Sequence, residues 1–568
     1  MEKRWIFKAV PDQDQVSFLA SALRIDHVLS SLLVQRGIDT YQKAHDFFRP
    51  STEHLHDPFL MKDMDRAIDR LINAFANQEK ILVYGDYDVD GTTSVALVYD
   101  FLSRYYDHLD YYIPDRYKEG YGISQQGIDW ANENGFSLII SLDCGIKSVD
   151  KIQYAQTLNI DFIVCDHHLP GDELPAAVAV LDAKRKDCSY PYKELCGCGV
   201  GFKLMQALCV RQEWDLELLY SYLDLVAIAI CSDIVPITGE NRAMVYAGIQ
   251  CINKTPRPGV QALNDISGFK KIKEVSNIVF GLGPRINAAG RIAHAKAAVR
   301  LLISKTEEEA TVHAANLNDK NLTRKDFDIN ITEEAVTMIR NDQWMADAKS
   351  TVLYKEDWHK GVIGIVASRC IEKFYRPTII LTRSGNHAAG SARSVTGFDV
   401  HAAIADCADL LEQFGGHMYA AGLTMKIENI EAFRERFEQV VASRIQPEQL
   451  IPQIEIDRKI RLEEINYKFY RILKQMAPFG PQNMQPLFVS EEVQDDGRAR
   501  LLKEQHLKLF LKQGDSAVYE AIGFGMPQYF ERIKKGDKFN LCFSIEENEY
   551  NGERSLQLQI RDIKFVGE

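Results

Sequence analysis

No apolar run in the 568-residue sequence approaches the ~20 residues a membrane-spanning helix needs; the longest, around Leu225–Ile230, is far shorter. The N-terminal stretch MEKRWIFKAVPDQDQ has no apolar core of signal-peptide length. Neither anchoring nor export is expected, and a reducing cytoplasm is the expected compartment. The sequence also lacks a disulfide framework. Its eleven cysteines are odd in number and scattered, and most sit inside apolar runs, as Cys165, Cys209, Cys231 and Cys542 do, where a reduced thiol packs as a small hydrophobe. Only Cys188, Cys196 and Cys198 cluster, and C-x7-C-x-C has neither zinc spacing nor a nearby fourth ligand. A basic excess is missing too. With 67 Lys+Arg against 80 Asp+Glu, the net charge of −13 excludes a histone-like coat and leaves room for carboxylate-built metal sites. There is no internal repeat or low-complexity tract. What remains is a globular composition, 46% apolar and 26% charged, and a length that suggests about three to four domains.

Between residues 81 and 182 short apolar runs alternate with helical segments: Ile81–Tyr84, Leu138–Leu142, Phe162–Cys165 and Ala177–Leu181. The runs are continuous, as strands covered by helices on both faces require, so the pattern predicts βαβ units and a parallel sheet. Active sites of such sheets lie beyond the strand C-termini. Three of these strands are followed at once by residues of metal-ligand type: Asp86-Tyr-Asp88-Val-Asp90, then Asp143, then Asp166-His167-His168. One Asp after a strand is usually a helix cap or a solvated loop residue; three in one sheet are not so easily dismissed.

From Thr306 to Arg340 there is neither Gly nor Pro, and the mixed charged and apolar spacing predicts one helix of ~50 Å. A second α/β domain is expected beyond it, from Thr351–Tyr354, a glycine-punctuated helix over Gly361–Arg369, and Thr378–Leu381. The last ~115 residues carry period-two stretches, His506–Lys512 and Ser555–Ile560, between Gly/Asp/Asn turns; an antiparallel barrel of OB-fold type is expected.

The segment Asp86–Thr93 fails two tests. An EF-hand loop needs Glu at its twelfth position, where Leu97 stands, and a P-loop needs Lys where Thr92-Thr93 stand. A haloacid-dehalogenase-type nucleophile loop, Asp88-Val-Asp90-Gly-Thr92, survives locally but leaves the paired histidines unexplained. Alternate carboxylates in a turn can share a metal, and hard oxygen donors joined by an imidazole suit Mg²⁺ or Mn²⁺.

Together these residues resemble the DHH phosphoesterase superfamily. The series Ile113–Arg116 with Glu119–Gly122, Cys231–Pro236, Gly283–Arg291, Trp358–Gly364, Gly390–Ser394 and Gly415-Gly416-His417 is similar to the motifs of its single-strand-specific 5′→3′ DNA exonuclease branch. The resemblance implies an N-terminal segment (1–49), a DHH catalytic domain with a parallel sheet (50–303), a connecting helix (304–345), a DHHA1 substrate-binding α/β domain (346–447) and a C-terminal OB-fold β-barrel (448–568). It implies that Asp88, Asp90, Asp143, His167 and Asp233 hold two Mn²⁺ or Mg²⁺ ions, that Asp86 supports them and that His168 faces the scissile phosphate. The superfamily often has His where Tyr84 stands here. Ser391 and Arg393 would receive the terminal 5′-phosphate, since hydroxyl plus guanidinium is a strong phosphate pair. Arg116, Arg285 and Arg291 would contact other phosphates, and Gly415-Gly416, ahead of a helical run, together with His417 would meet the strand. His359 also matches a motif position. The barrel would add stacking and a basic track, to which Lys503, Lys508, Lys512, Lys534 and Lys535 are candidates.

The implied activity is two-metal hydrolysis of single-stranded DNA from the 5′ end to mononucleotides, in DNA repair and recombination, with a single-strand-binding protein and a helicase as partners. Two rivals stay open: a DHH-type phosphodiesterase of short oligonucleotides or cyclic dinucleotides, and a non-catalytic single-strand-binding adaptor.

Overall fold

The structure is a computed structural model and describes residues 2–550 and 552–567. The chain divides into two units. One comprises Thr40–Thr323 with Met476–Gln485; the other comprises Met1–Asp39, Arg324–Gln475 and Pro486–Glu568.

The first unit is built on five parallel strands: β1 (Lys80–Gly85), β2 (Leu109–Tyr112), β3 (Phe136–Leu142), β4 (Asp161–Cys165) and β5 (Ala179–Leu181), in the order β2-β1-β3-β4-β5. Their near-continuous apolar sequences are buried on both sides, as expected for a sheet between helices. On one face pack α1 (Val89–Leu102), α2 (Gly197–Gln212) and α3 (Leu223–Ser232), all buried along most of their length. Because β1, β3 and β4 are parallel neighbours, the residues after all three emerge at one sheet edge.

The Gly- and Pro-free stretch forms a single helix, α4 (Glu307–Asn341). The second unit then holds a five-stranded sheet of β6 (Thr351–Tyr354), β7 (Thr378–Ser384), β8 (His387–Arg393), β9 (Gln413–His417) and β10 (Ala420–Lys426), ordered β9-β10-β8-β7-β6, with α5 (Ile363–Lys373) following β6. Gly415, Gly416 and His417 lie in β9, paired antiparallel with Gly422, Ala421 and Ala420. The expected helical run after the glycine pair is therefore a β-hairpin. Gly416 is needed there: its φ is +150°, and a Cβ would lie 2.3 Å from the Ala420 carbonyl oxygen.

The C-terminal sheet closes on itself. Phe488–Asp495 pairs with Phe539–Tyr550 on one side and with His506–Lys512 on the other, and Glu553–Phe565 and Tyr519–Gly523 complete the ring. Leu507, Leu509 and Leu511 face its interior on alternate positions, as the period-two pattern predicts. The N-terminal strand Arg4–Phe7 pairs in parallel with Gln453–Ile456, a partnership across some 450 residues that no local pattern announces.

Candidate active site and its metal centre

The turn after β1 is tight. A Cβ at Gly91 would lie 2.4 Å from the Asp86 carbonyl oxygen, so glycine is what allows the first turn of α1 to fold back on the strand end. Asp88 caps α1, its Oδ1 accepting from the Gly91 N–H at 3.0 Å. Asp90, in the first turn, accepts from the Gly197 N–H (2.6 Å) and the Cys198 N–H (2.8 Å) at the N-terminus of α2, the positively polarised end of that helix.

β3 delivers Asp143 in the left-handed region, φ +60°. Gly197 packs directly on it, since a Cβ there would lie 2.6 Å from the Asp143 Cβ. β4 delivers Asp166, His167 and His168. Asp166 Oδ1 accepts from the backbone N–H of His167 (2.7 Å) and of His168 (3.2 Å) and lies 2.7 Å from His168 Nδ1, while Oδ2 accepts from the Ile146 N–H (2.9 Å). Asp166 thus shapes the loop that presents both imidazoles. α3 ends at Asp233.

These elements converge. His167 Nε2 lies 3.1 Å from Asp143 Oδ1, 3.6 Å from Asp233 Oδ2 and 3.7 Å from Asp90 Oδ2. Asp90, His167 and Asp233 form one group of ligand atoms mutually within 4.8 Å, and Asp143, His167 and His168 form a second. Burial, then mutual repulsion, raises Asp90, Asp143 and Asp233 above the usual carboxylate range, with Asp88 adding its charge to each. Burial and the neighbouring His168 lower His167 to about 3, so its imidazole is neutral and fit to ligate. Asp143 Oδ1, Asp86 Oδ2 and His167 Nδ1 are buried with no hydrogen-bond partner. Clustered buried carboxylates need a counter-charge, and three of them with one imidazole suit Mn²⁺ or Mg²⁺.

Around this centre, Asp86 accepts from the Gly122 N–H (3.2 Å), and burial followed by the Asp88 charge raises it well above its ordinary value. Tyr84 is no ligand: its hydroxyl donates to the Gly122 carbonyl (3.0 Å) and accepts from the Ser124 N–H (3.1 Å). His168 Nε2 meets the Tyr121 hydroxyl at 3.1 Å. For His168 burial opposes the charged form, but the Asp166 bond outweighs it and raises the pKa. Asp166 shows the converse: burial would raise it, but the His168 bond and charge hold it at about 2.

Among the expected phosphate contacts, Arg116 lies over the Tyr87 ring at 4.9 Å, and the Arg291 carbonyl accepts from the Tyr117 hydroxyl. Arg285 departs from expectation. Its Nε donates to Asn318 Oδ1 (3.0 Å), Nη1 to the Gly281 carbonyl (2.6 Å) and Nη2 to the Ile266 carbonyl (3.2 Å), so its donors serve internal packing. In the second unit, Ser391 and Arg393 share a face of β8, and Arg393 Nη1 donates to Ser391 Oγ at 3.1 Å. Gly364, in the first turn of α5, faces both; a Cβ there would lie 2.8 Å from Ser391 Oγ and 2.9 Å from Arg393 Nη2. No carboxylate pairs with Arg393 among the described residues, and burial lowers its pKa. Gly415, Gly416 and His417 are exposed on their hairpin. His359 stacks on Phe327, and in the barrel Lys508 pairs with Glu520 at 2.7 Å.

Three contributors have no counterpart in the sequence reading: Asp166 as the orienting carboxylate, the Gly197 and Cys198 amides that grip Asp90, and the Tyr121 hydroxyl. Asp166 had a visible signal, its position directly after a strand, and Tyr121 lies within the Glu119–Gly122 motif, which gave its hydroxyl no role.

The N-terminal domain of the DHH family matches residues 80–230, the DHHA1 domain 347–443 and the RecJ OB domain 456–562. The single-stranded-DNA-specific exonuclease RecJ of Bacillus subtilis is 38% identical over 564 residues, covering 98% of this chain and 70% of its own. The chain belongs to the RecJ family. The crystal structure of RecJ from Thermus thermophilus in complex with Mn²⁺ superposes with a TM-score of 0.85 at 25% identity, covering 99% of this chain and 79% of that one. The same protein in complex with Mg²⁺ gives 0.78, covering 99% and 78%. RecJ-family structures thus hold the two cations that the donor set here suits.

Proposed function

We propose that this chain is a metal-dependent, single-stranded-DNA-specific exonuclease that works from the 5′ end and releases mononucleotides. The observation that carries the reading is the convergence of Asp90, Asp143 and Asp233 on His167 Nε2, all within 3.7 Å of that atom. Family membership supports it. Asp88, Asp90, Asp143, His167 and Asp233 would hold Mn²⁺ or Mg²⁺, which would supply Lewis acidity for displacement at phosphorus.

The protein's own residues do the rest. The α2 amides and Gly197 lock Asp90 and Asp143 in one geometry before substrate arrives. Asp166 holds His168 by Nδ1, which leaves Nε2, now against Tyr121, to meet a non-bridging oxygen of the scissile phosphate. Asp86 ties the first loop to Gly122 and keeps Asp88 and Asp90 in place. Arg393 and Ser391 receive the terminal 5′-phosphate, with Arg116, Arg291 and the Gly415-Gly416-His417 hairpin along the strand. The barrel favours a polymeric substrate over a cyclic dinucleotide, because a dinucleotide has no use for it. A single-strand-binding protein and a helicase are the natural suppliers of such a substrate, and the cytoplasm its place.

The test is to incubate the full chain and Mn²⁺ with end-labelled single-stranded and duplex DNA. Stepwise release of 5′-mononucleotides from single strands alone is expected; intact DNA or release from the 3′ end overturns the reading.

A further inference from the structure

Asp233 is the residue that follows the last turn of α3, and its N–H still bonds back to the Ala229 carbonyl at 2.9 Å. The next residue, Ile234, turns the chain away with φ +61°. Glycine or asparagine ordinarily takes that left-handed position at a helix end, and a β-branched side chain is strained there. The other ten described non-glycine residues with left-handed φ are all polar or charged and none is branched at Cβ, so Ile234 is anomalous within its own molecule. Burial does not offset the strain, because Ile234 is 66% exposed. A strained isoleucine left mostly in water gains little from burial, and residues kept under strain concentrate at functional sites.

Its neighbours say what it serves. Asp233 Oδ2 lies 3.6 Å from His167 Nε2, so Ile234 stands one residue from the metal centre. Two other large, exposed side chains flank site residues in the same way. Leu169, 64% exposed, follows His168, and Tyr121, 56% exposed, touches His168 Nε2. Exposed apolar side chains next to the residues of a carboxylate centre match the two halves of a nucleotide, an anionic phosphate and a flat base.

We propose that Ile234 is a substrate-contacting residue whose side chain packs against the base of the nucleotide being removed. The inference rests on the exonuclease reading above. Ile234→Asn keeps the left-handed turn without the branched side chain, so its unfolding midpoint is expected to stay the same or rise by a few degrees. Its KM for single-stranded DNA is expected to rise about tenfold with kcat and Mn²⁺ affinity unchanged, the mark of a lost binding contact. Ile234→Val, which keeps an apolar side chain, is expected to restore most of the affinity. A substrate with an abasic residue at the scissile position separates contact from scaffold. The full-length wild type should prefer the normal base about tenfold, and Ile234→Asn should lose that preference. Wild-type kinetics in Ile234→Asn, an unchanged base preference, or a lowered midpoint with lost metal affinity would each overturn the proposal while wild-type activity stands. An inactive wild type overturns the exonuclease reading and this inference with it.

Discussion

His167 Nε2 and Asp143 Oδ1 lie 3.1 Å apart, yet Asp143 Oδ1 accepts no hydrogen bond. The distance alone would allow a hydrogen bond, but the geometry makes none, which leaves a buried carboxylate oxygen and a neutral imidazole side by side, a donor pair that would suit one cation. Asp143→Asn preserves the left-handed backbone, which asparagine tolerates, while removing one anionic donor. Nuclease activity is expected to fall at least ~100-fold, because even loss of a ligand's supporting partner costs about 10–100-fold. Thermal stability without metal should hold or rise, since a repelling buried charge is gone. Activity assays beside melting curves with and without Mn²⁺ check this.

Burial, with mutual repulsion added to it, sets a pH dependence opposite to that of salt-bridged carboxylates. Asp90, Asp143 and Asp233 have folded pKa values raised above the unfolded ~3.9, with Asp90 at about 7 and Asp233 at about 8. The folded state therefore binds more protons than the unfolded one in this window, and the cluster's contribution to stability falls as pH rises from about 4 to 8. Cations bind the deprotonated ligands, so stabilisation by Mn²⁺ should grow over the same range. Unfolding midpoints measured from pH 5 to 8, with chelator and with Mn²⁺, should diverge; parallel curves would contradict the metal assignment.

Asp166 should behave as a positioning residue. Asp166→Asn weakens the bond to His168 Nδ1 while leaving the carboxylates of Asp90, Asp143 and Asp233 intact. A kcat reduced about 10–100-fold with Mn²⁺ affinity nearly unchanged is expected, measured by single-turnover cleavage and calorimetry. Loss of both in parallel would assign Asp166 to holding the fold.

The strand ends were legible because a parallel sheet aligns them: once Ile81–Tyr84, Leu138–Leu142 and Phe162–Cys165 are strands, Asp86–Asp90, Asp143 and His167 must share an edge. Asp233 was not legible from pattern, since a capping Asp after an apolar helix is ordinary; only the resemblance flagged it. The α2 amides were hidden because Cys196-Gly-Cys198 draws attention to sulfur, whereas here the backbone acts and the thiols are buried. Gln413–His417 was misread because two glycines and no alternation give a strand no period to show. Arg285 matched a motif position, but sequence does not reveal that its donors end on Gly281, Ile266 and Asn318.

Arg393 carries the remaining prediction. It is a desolvated guanidinium beside Ser391 Oγ, opposite a glycine in the first turn of α5, with no carboxylate partner among the described residues. Helix N-termini and guanidinium groups both favour phosphate. Removing a charged hydrogen-bonding group costs about 1.5–3 kcal/mol, or roughly 10–100-fold in affinity. Arg393→Ala is therefore expected to lose that factor on 5′-phosphorylated single strands and almost nothing on 5′-hydroxyl ones, collapsing the preference between them. Arg393→Lys should recover part of it, since a point charge remains but the bidentate fork does not. An equal loss on both substrates would instead mean that Arg393 stabilises β8 and α5, and the terminal-phosphate assignment would be wrong.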